Sequence, residues 1–328
     1  MTSLAIIQPK PGIGDLIWHL PFIRAIAAAS PGRKGTLLIP ASSHAQELLV
    51  AEPAIERTLY FRHHGSELQR GFNLARLTLM LRQLDCDTIW ILDRTTRPAF
   101  AAMLARIPRR IGYGFGRQRW FITNPGLDRS LDRAEPLEWI KALLAMMDVP
   151  CPSTEPSLHL PAEMVVEVGR RYAGRPRPWI VVALGASSPL KDWPLGYWAE
   201  FIRALRQRTS GTLFLIGGAP QMERATGLIV QSAGAPSVNA CDLAVIEAAA
   251  LLRQSDLFVG PDSGPMNLAA AVGVPAFGLF GATRVLSHAK FVHVILPDDG
   301  GPPRPGGMEL ISPGQVLDRI ASLIGGER

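Results

Sequence analysis

The stretch LAIIQPKPGIGDLIWHLPFIRA, residues 4–25, sets the fold class. It opens on a short apolar run, Leu4 to Ile7, of the length of a strand buried on both faces. Gly12 and Gly14 then bracket Ile13 in a turn, and Asp15 follows at once. From there Leu16, Leu20, Ile23 and Ala27 recur on one helical face. Strand, glycine turn and helix, in that order, begin a parallel α/β unit. Pro21 lies within the helical segment, has no N–H for the carbonyl of Ile17, and is expected to kink the helix. The turn also poses a chemical question. Glycines let backbone N–H groups approach a ligand, and a helix N-terminus attracts anions, yet an acid stands in the middle. The pattern is neither GxGxxG nor a Walker loop. Read as residues alone, Asp15 is an N-cap accepting from the first free N–H groups of the helix. His19, four residues on, shares its face and is placed to orient or protonate it.

The same alternation continues outward. GTLLIP (35–40) and TIWILD (88–93) read as further strands. Between residues 149 and 179 the composition shifts: VPCPSTEPSLHLP and AGRPRPW, rich in proline, flank one helical segment at 162–172 and read as a linker. A second series then starts afresh. WIVVAL (179–184) is a strand, and Trp198, Phe201, Ile202 and Leu205 follow at helical spacing. TLFLIGG (212–218), LFVG (257–260) and AFGLFG (276–281) read as strands, separated by helices at 243–253 and 265–272. The expectation is two doubly wound domains with a cleft between them and ligands at the carboxyl ends of the strands. The expected division is a first domain at 1–160, a linker at 161–177, a second domain at 178–312 and a closing helix at 313–328.

The chain has 328 residues, 47% hydrophobic and 19% charged, enough for two cores without a metal or disulfide staple. Three widely spaced cysteines, Cys86, Cys151 and Cys241, suit a reducing compartment rather than a disulfide framework. Residues 4–7 are too short for a signal-peptide core, and no stretch approaches the ~20 apolar residues of a membrane span. A cytoplasmic, soluble chain is therefore expected. The net charge is +6, and twelve arginines against four acids fall between Arg57 and Arg119. Such a half suits an acidic partner (nucleic acid, anionic lipid or phosphorylated sugar) and equally a solvated basic face.

Two later motifs also sit where a strand turns into a helix. In GASSPLKDWP (185–194), Ser187 and Ser188 are small donors and Lys191 is a point charge suited to phosphate. In FVGPDSGPMNLAAAVGVPAFGLFGAT (258–283), Ser263 and Gly264 open a helix whose free N–H groups suit a pyrophosphate. Asp262 is then expected to bond a sugar hydroxyl, its own loop or Lys191. DCD (85–87) matches the DxD pattern of metal-holding sugar transferases, but it stands just before an apolar strand and reads as a strand-entry turn. HExxH, paired CxxC and GxSxG patterns are absent from the sequence.

In combination GIGDLIWHLP, LKDWP and DSGPMNLAAAVGVPAFGLFGAT resemble the family 9 glycosyltransferases, the heptosyltransferase family of lipopolysaccharide core assembly. RTTRPAFAAMLARIPRRIGYG (94–114) and MELISPGQVLDRI (308–320) resemble the same family more weakly, so the likeness runs along nearly the whole chain in order. The resemblance implies a GT-B fold, α/β with two Rossmann-like domains facing a central cleft, the donor held mainly by the second. It implies transfer with inversion, without metal or other cofactor, and a last helix that crosses back to the first domain. Residue by residue, Asp15 in its turn of Gly12 and Gly14 matches the general base. Lys191 matches the lysine that offsets charge on the leaving diphosphate. Ser187 and Ser188 stand near the phosphates, Asp262, Ser263 and Gly264 form the donor turn, and Glu223 in GGAPQMER matches an acidic donor contact.

Asn267 stands where the family usually has His. It can hydrogen-bond a phosphate or ribose but carries no positive charge, so either the donor differs from ADP-heptose or its diphosphate is held less tightly. RVLSHAKF (284–291) also departs from the family pattern. Arg94, Arg97, Arg109 and Arg110 are expected to face an acidic saccharide or lipid-linked acceptor, with peripheral contact to the anionic inner face of the membrane and no nucleic acid. Two other readings share the donor motifs: a sugar-nucleotide epimerase, and a non-catalytic sugar-nucleotide-binding relative.

Overall fold

The computed structural model describes residues 3–62, 67–231, 236–285 and 289–324. It divides into two compact units, Met1–Thr154 and Glu155–Arg328.

In the first unit the elements are β1 (Leu4–Ile7), α1 (Ile13–Ala28), β2 (Gly35–Ile39), α2 (Ala45–Leu48), β3 (Ile55–Tyr60), α3 (Glu67–Leu84), β4 (Thr88–Ile91), α4 (Thr96–Leu104), β5 (Arg109–Gly112) and α5 (Pro136–Met146). The five strands are parallel in the order β3-β2-β1-β4-β5. β1 and β2 are buried at every residue, as expected of unalternating apolar strands covered on both faces. The order reverses between β1 and β4, and such a switch point opens a crevice at the carboxyl ends of its two strands. Those ends carry the Gly12–Asp15 turn and the segment from Leu92 to Thr95.

α1 begins two residues before the acid. Gly12 is the N-cap at φ +103°, a region that favours glycine, and Asp15 is the third helical residue. The N-cap reading of Asp15 is thereby corrected: the glycine turns the chain early, and the carboxylate rides in the first turn. The helix continues through Pro21 to Ala28. DCD lies in the turn into β4, with Asp85 at φ +46° and Cys86 buried. Burial raises the thiols of Cys86 and Cys241 to about 11, so both are protonated at neutral pH.

The second unit contains α6 (Ala162–Arg171), β6 (Trp179–Ala183), α7 (Leu195–Arg208), β7 (Thr212–Ile216), α8 (Met222–Gln231), β8 (Ser237–Asn239), α9 (Val245–Arg253), β9 (Leu257–Pro261), α10 (Gly264–Ala271), β10 (Ala276–Leu279), β11 (Val292–Ile295) and α11 (Pro313–Ile324). Its parallel sheet runs β11-β10-β9-β6-β7-β8, with the switch point between β6 and β9. The segment expected as a linker is part of this unit. α6 packs on α9, and Gln254 Nε2 donates to the carbonyl of Val165 at 2.9 Å. The last helix sets Val316, Leu317, Ile320 and Ile324 into the second unit's core and packs on α7. The departure in RVLSHAKF falls partly on residues 286–288, outside the described residues. No described helix is long and apolar enough to cross a membrane.

Candidate active site

In the first unit, α1 presents Asp15 half-buried at the head of the crevice. His19 is buried one turn later, and its Nδ1 lies 2.6 Å from the carbonyl oxygen of Asp15. A carbonyl only accepts, so Nδ1 carries the proton and donates. Burial, with a smaller contribution from the nearby Lys10 charge, lowers the imidazole to about 4 despite that bond. The ring is neutral at physiological pH and is bonded to the backbone of Asp15. The expectation that it protonates the acid gives way to one in which it holds the main chain.

A cavity of about 430 Å³ lies in the second unit and one of about 340 Å³ in the first. The first-unit cavity occupies the switch-point crevice and is lined by Lys10, His19, Asp93, Arg94, Tyr113 and Trp139, among others. Asp15 is not a lining residue, but its carbonyl is bound to one. Arg94 lies 4.8 Å from the Trp139 ring centroid and 5.0 Å from that of Phe115, and pairs with Asp132. Gln118, fully buried, ties the β4 and β5 exits together. Its Nε2 donates to the carbonyls of Asp93 at 2.7 Å and Thr95 at 3.0 Å, and its Oε1 accepts from Gly114 N–H at 2.7 Å.

The four arginines expected at an acceptor are not brought together. Arg94 is at the crevice, and Arg97 is exposed on α4. Arg109 and Arg110 open β5, where register pairs Arg109 with Thr88 and Thr88 with Leu4. That is the amino edge of the sheet, opposite the edge that carries the Gly12–Asp15 turn. Arg110 moreover donates from Nε to the carbonyl of Phe121 and from a terminal nitrogen to that of Ile107, each at 2.6 Å. It fastens a loop.

In the second unit the switch point gathers the late motifs. Lys191 Nζ donates to Asp262 Oδ2 at 2.7 Å and to the Asp262 carbonyl at 3.1 Å. Thr283 Oγ1 donates to the same Oδ2 at 2.8 Å. Both charged side chains keep 22% exposure. Asp262 is thus held by the lysine, one of the partners expected for it. Ser263 is the N-cap of α10, and its buried Oγ has no hydrogen-bond partner among the described residues. Gly264 is the first helical residue, with its N–H at the open end of α10. Asn267 is buried, and its Nδ2 donates to the carbonyl of Ser263 at 2.8 Å, so the amide nitrogen binds its own helix end rather than pointing to a ligand.

Ser188 is half-buried and its carbonyl accepts from Lys191 N–H at 3.0 Å; Ser187 is exposed. Glu223 is exposed in the first turn of α8. Gln221, which no sequence pattern singles out, lies against the turn: a Cβ on Gly185 would come within 2.8 Å of its amide nitrogen. The second-unit cavity is lined by Pro189, Leu190, Asp192, Trp193, Arg224 and Glu309, among others, and not by Lys191.

The sequence profile of glycosyltransferase family 9 (heptosyltransferase) matches residues 74–290. Lipopolysaccharide heptosyltransferase 1 of Pseudomonas aeruginosa is 27% identical over 296 residues, spanning 85% of this chain and 79% of the relative. Lipopolysaccharide heptosyltransferase 2 of Salmonella typhimurium is 25% identical, spanning 99% of each chain. The structure of the E. coli ADP-heptose lipopolysaccharide heptosyltransferase II superposes with a TM-score of 0.76 at 21% identity, covering 98% of each chain. Two parallel α/β units, each with its motif residues at the switch point, define a GT-B glycosyltransferase. The chain belongs to glycosyltransferase family 9, the heptosyltransferases.

Proposed function

We propose that the chain transfers a heptose from ADP-heptose to a saccharide of the lipopolysaccharide core, with inversion and with Asp15 as general base. The observation that carries the donor half is the Lys191–Asp262 pair beside the open N-terminus of α10. An ammonium has three N–H donors, and two are on Asp262, so one remains for a phosphate oxygen. The Ser263 hydroxyl and the first N–H groups of α10 supply further donors to a diphosphate. As the donor's glycosidic bond breaks, negative charge grows on the diphosphate, and Lys191 stabilises it where other transferases use a divalent ion. Ser187, Ser188 and Glu223 are donor contacts in the same reading.

The acceptor sugar takes the cavity of Lys10, Arg94 and Trp139, where two cations suit an acidic saccharide and an aromatic face suits a sugar ring. Asp15 takes the proton of the attacking hydroxyl. Incubation with ADP-heptose, with and without a heptose-free inner-core oligosaccharide, tests the reading. ADP release is expected only when the acceptor is present. Conversion of the sugar nucleotide alone would establish the epimerase, and no reaction in either case would exclude this donor and acceptor pair.

The acceptor's lipid anchor places a membrane beside the first unit, and the outer face of α3 fits it. Phe72 is 70% and Leu79 57% exposed, seven residues apart on one face with exposed Arg76 and Arg82. Residues 68–84 hold three arginines and no acid. Apolar side chains among arginines suit an anionic bilayer surface. In flotation with phosphatidylglycerol-rich vesicles, the Phe72→Ser/Leu79→Ser variant should lose most of its bound fraction and keep transfer to a soluble acceptor. Undiminished flotation would remove α3 from the membrane contact.

A further inference from the structure

We propose that His19 is a positioning residue for Asp15, gripping its main chain from the buried side so that the carboxylate stands in one orientation at the crevice. The proposal rests on the reading of Asp15 as general base.

Three observations point the same way. First, the grip is double. In an α-helix the carbonyl of residue 15 accepts the backbone N–H of residue 19, and here the imidazole Nδ1–H of the same residue reaches that carbonyl at 2.6 Å. One residue thus holds the Asp15 carbonyl with two donors, in the first turn, where a helix otherwise frays.

Second, the ring is held from the strand side. Gln8 directly follows β1, is fully buried, and has its amide nitrogen 3.4 Å from His19 Nδ1. Its Oε1 has no partner among the described residues. With the proton on Nδ1, Gln8 bonds the ring only with its Oε1 turned toward it. His19 then bridges the end of β1 and the start of α1, the two ends of the glycine turn that carries Asp15. Gly12 and Gly14 leave that turn few side-chain contacts of its own, so an outside strut has a mechanical purpose.

Third, the residue is out of keeping with its surroundings as mere packing. Leu16, Ile17, Leu20 and Ile23 on the same helix are at most 1% exposed. An imidazole among them costs desolvation, as its depressed proton affinity records. A leucine would fill the space without that cost; it would not bond the carbonyl of Asp15.

The two nitrogens of histidine can be replaced one at a time. His19→Asn keeps an N–H donor near Nδ1; His19→Gln shifts the polar group to the Nε2 position; His19→Leu removes both. Turnover is to be measured with ADP-heptose and the heptose-free inner-core oligosaccharide at saturation, ADP affinity by calorimetry, and the acid limb of the kcat–pH profile for each variant. Asp15→Asn is run in parallel.

His19→Gln and His19→Leu should lose kcat about 10- to 100-fold, the scale of a sub-ångström misplacement of a reacting group, with ADP affinity unchanged and the acid limb displaced. His19→Asn should stay within a few-fold of the parent, with its acid limb in place. If Asn is as impaired as Gln, or Gln as active as the parent, the positioning role fails. Should the leucine variant not fold, the Asn-to-Gln ratio alone decides. If Asp15→Asn itself turns over normally, it is the general-base reading that has failed.

Discussion

Asp15→Asn should retain the fold and ADP affinity and lose about 10²- to 10⁴-fold in kcat, the usual contribution of a positioned general base. The substitution is nearly isosteric and leaves the Asp15 carbonyl, which His19 binds, in place. It removes the negative charge and the ability to take a proton. A hydroxyl attacking the donor carbon must shed its proton as the new bond forms, and an amide cannot receive it. The loss should therefore appear in kcat and not in donor binding, because Asp15 belongs to the first unit and the donor motifs to the second. A purely structural Asp15 would behave otherwise. An acid in the first helical turn interacts favourably with the helix dipole for about 0.3–1 kcal/mol, so its loss would lower the melting temperature slightly and leave kcat untouched.

Lys191→Ala should weaken ADP binding about 10- to 100-fold by calorimetry, matching the ~1.5–3 kcal/mol of a hydrogen bond between charged partners. The loss has two origins. The diphosphate forfeits its cation, and Asp262 forfeits the partner that neutralises it, so a carboxylate then faces the phosphates unopposed. These origins separate in a second variant. Lys191→Ala/Asp262→Asn should recover part of the affinity, because the repulsion goes even though the cation does not return. An alanine variant that binds ADP as tightly as the parent would exclude Lys191 from the donor site. If the double variant binds no better than the single, Asp262 does not repel the diphosphate.

How far the sequence disclosed all this depended on what each residue had to do locally. Strands buried on both faces, such as β1, β6 and β9, are unbroken apolar runs and are legible; β2 and β7 interrupt theirs only with a threonine near the start. β3, half-exposed as IERTLY, β5, opening on two arginines, and the three-residue β8 carry no such signal; their neighbours in the sheet make them strands. The residue pattern starts α1 at its acid, whereas Gly12, with its positive φ, starts it earlier. Proline content suggested a linker around α6, yet the helix has α9 to pack on.

The candidate site divides along the same line. Asp15, Lys191 and the Asp262–Gly264 turn stand at strand exits within recognisable local patterns, so each could be named from its own segment. Trp139, Gln118 and Gln221 come from three separate segments and meet the site only through sheet order and helix packing. Arg109 and Arg110 show the converse. A count of arginines reports the charge of a segment and nothing of which edge of the sheet bears it, and the register places these two at the amino edge.

The central claim, that Asp15 is the base of an acceptor-dependent transfer, is most directly tested in a single turnover. The parent and Asp15→Asn proteins, each loaded with ADP-heptose to the same measured occupancy, are mixed with excess heptose-free inner-core oligosaccharide, and glycoside formation is followed by mass spectrometry. The account requires equal occupancy, an inverted product from the parent, and formation at least about 100-fold slower in the variant. Equal single-turnover rates at equal occupancy would contradict it.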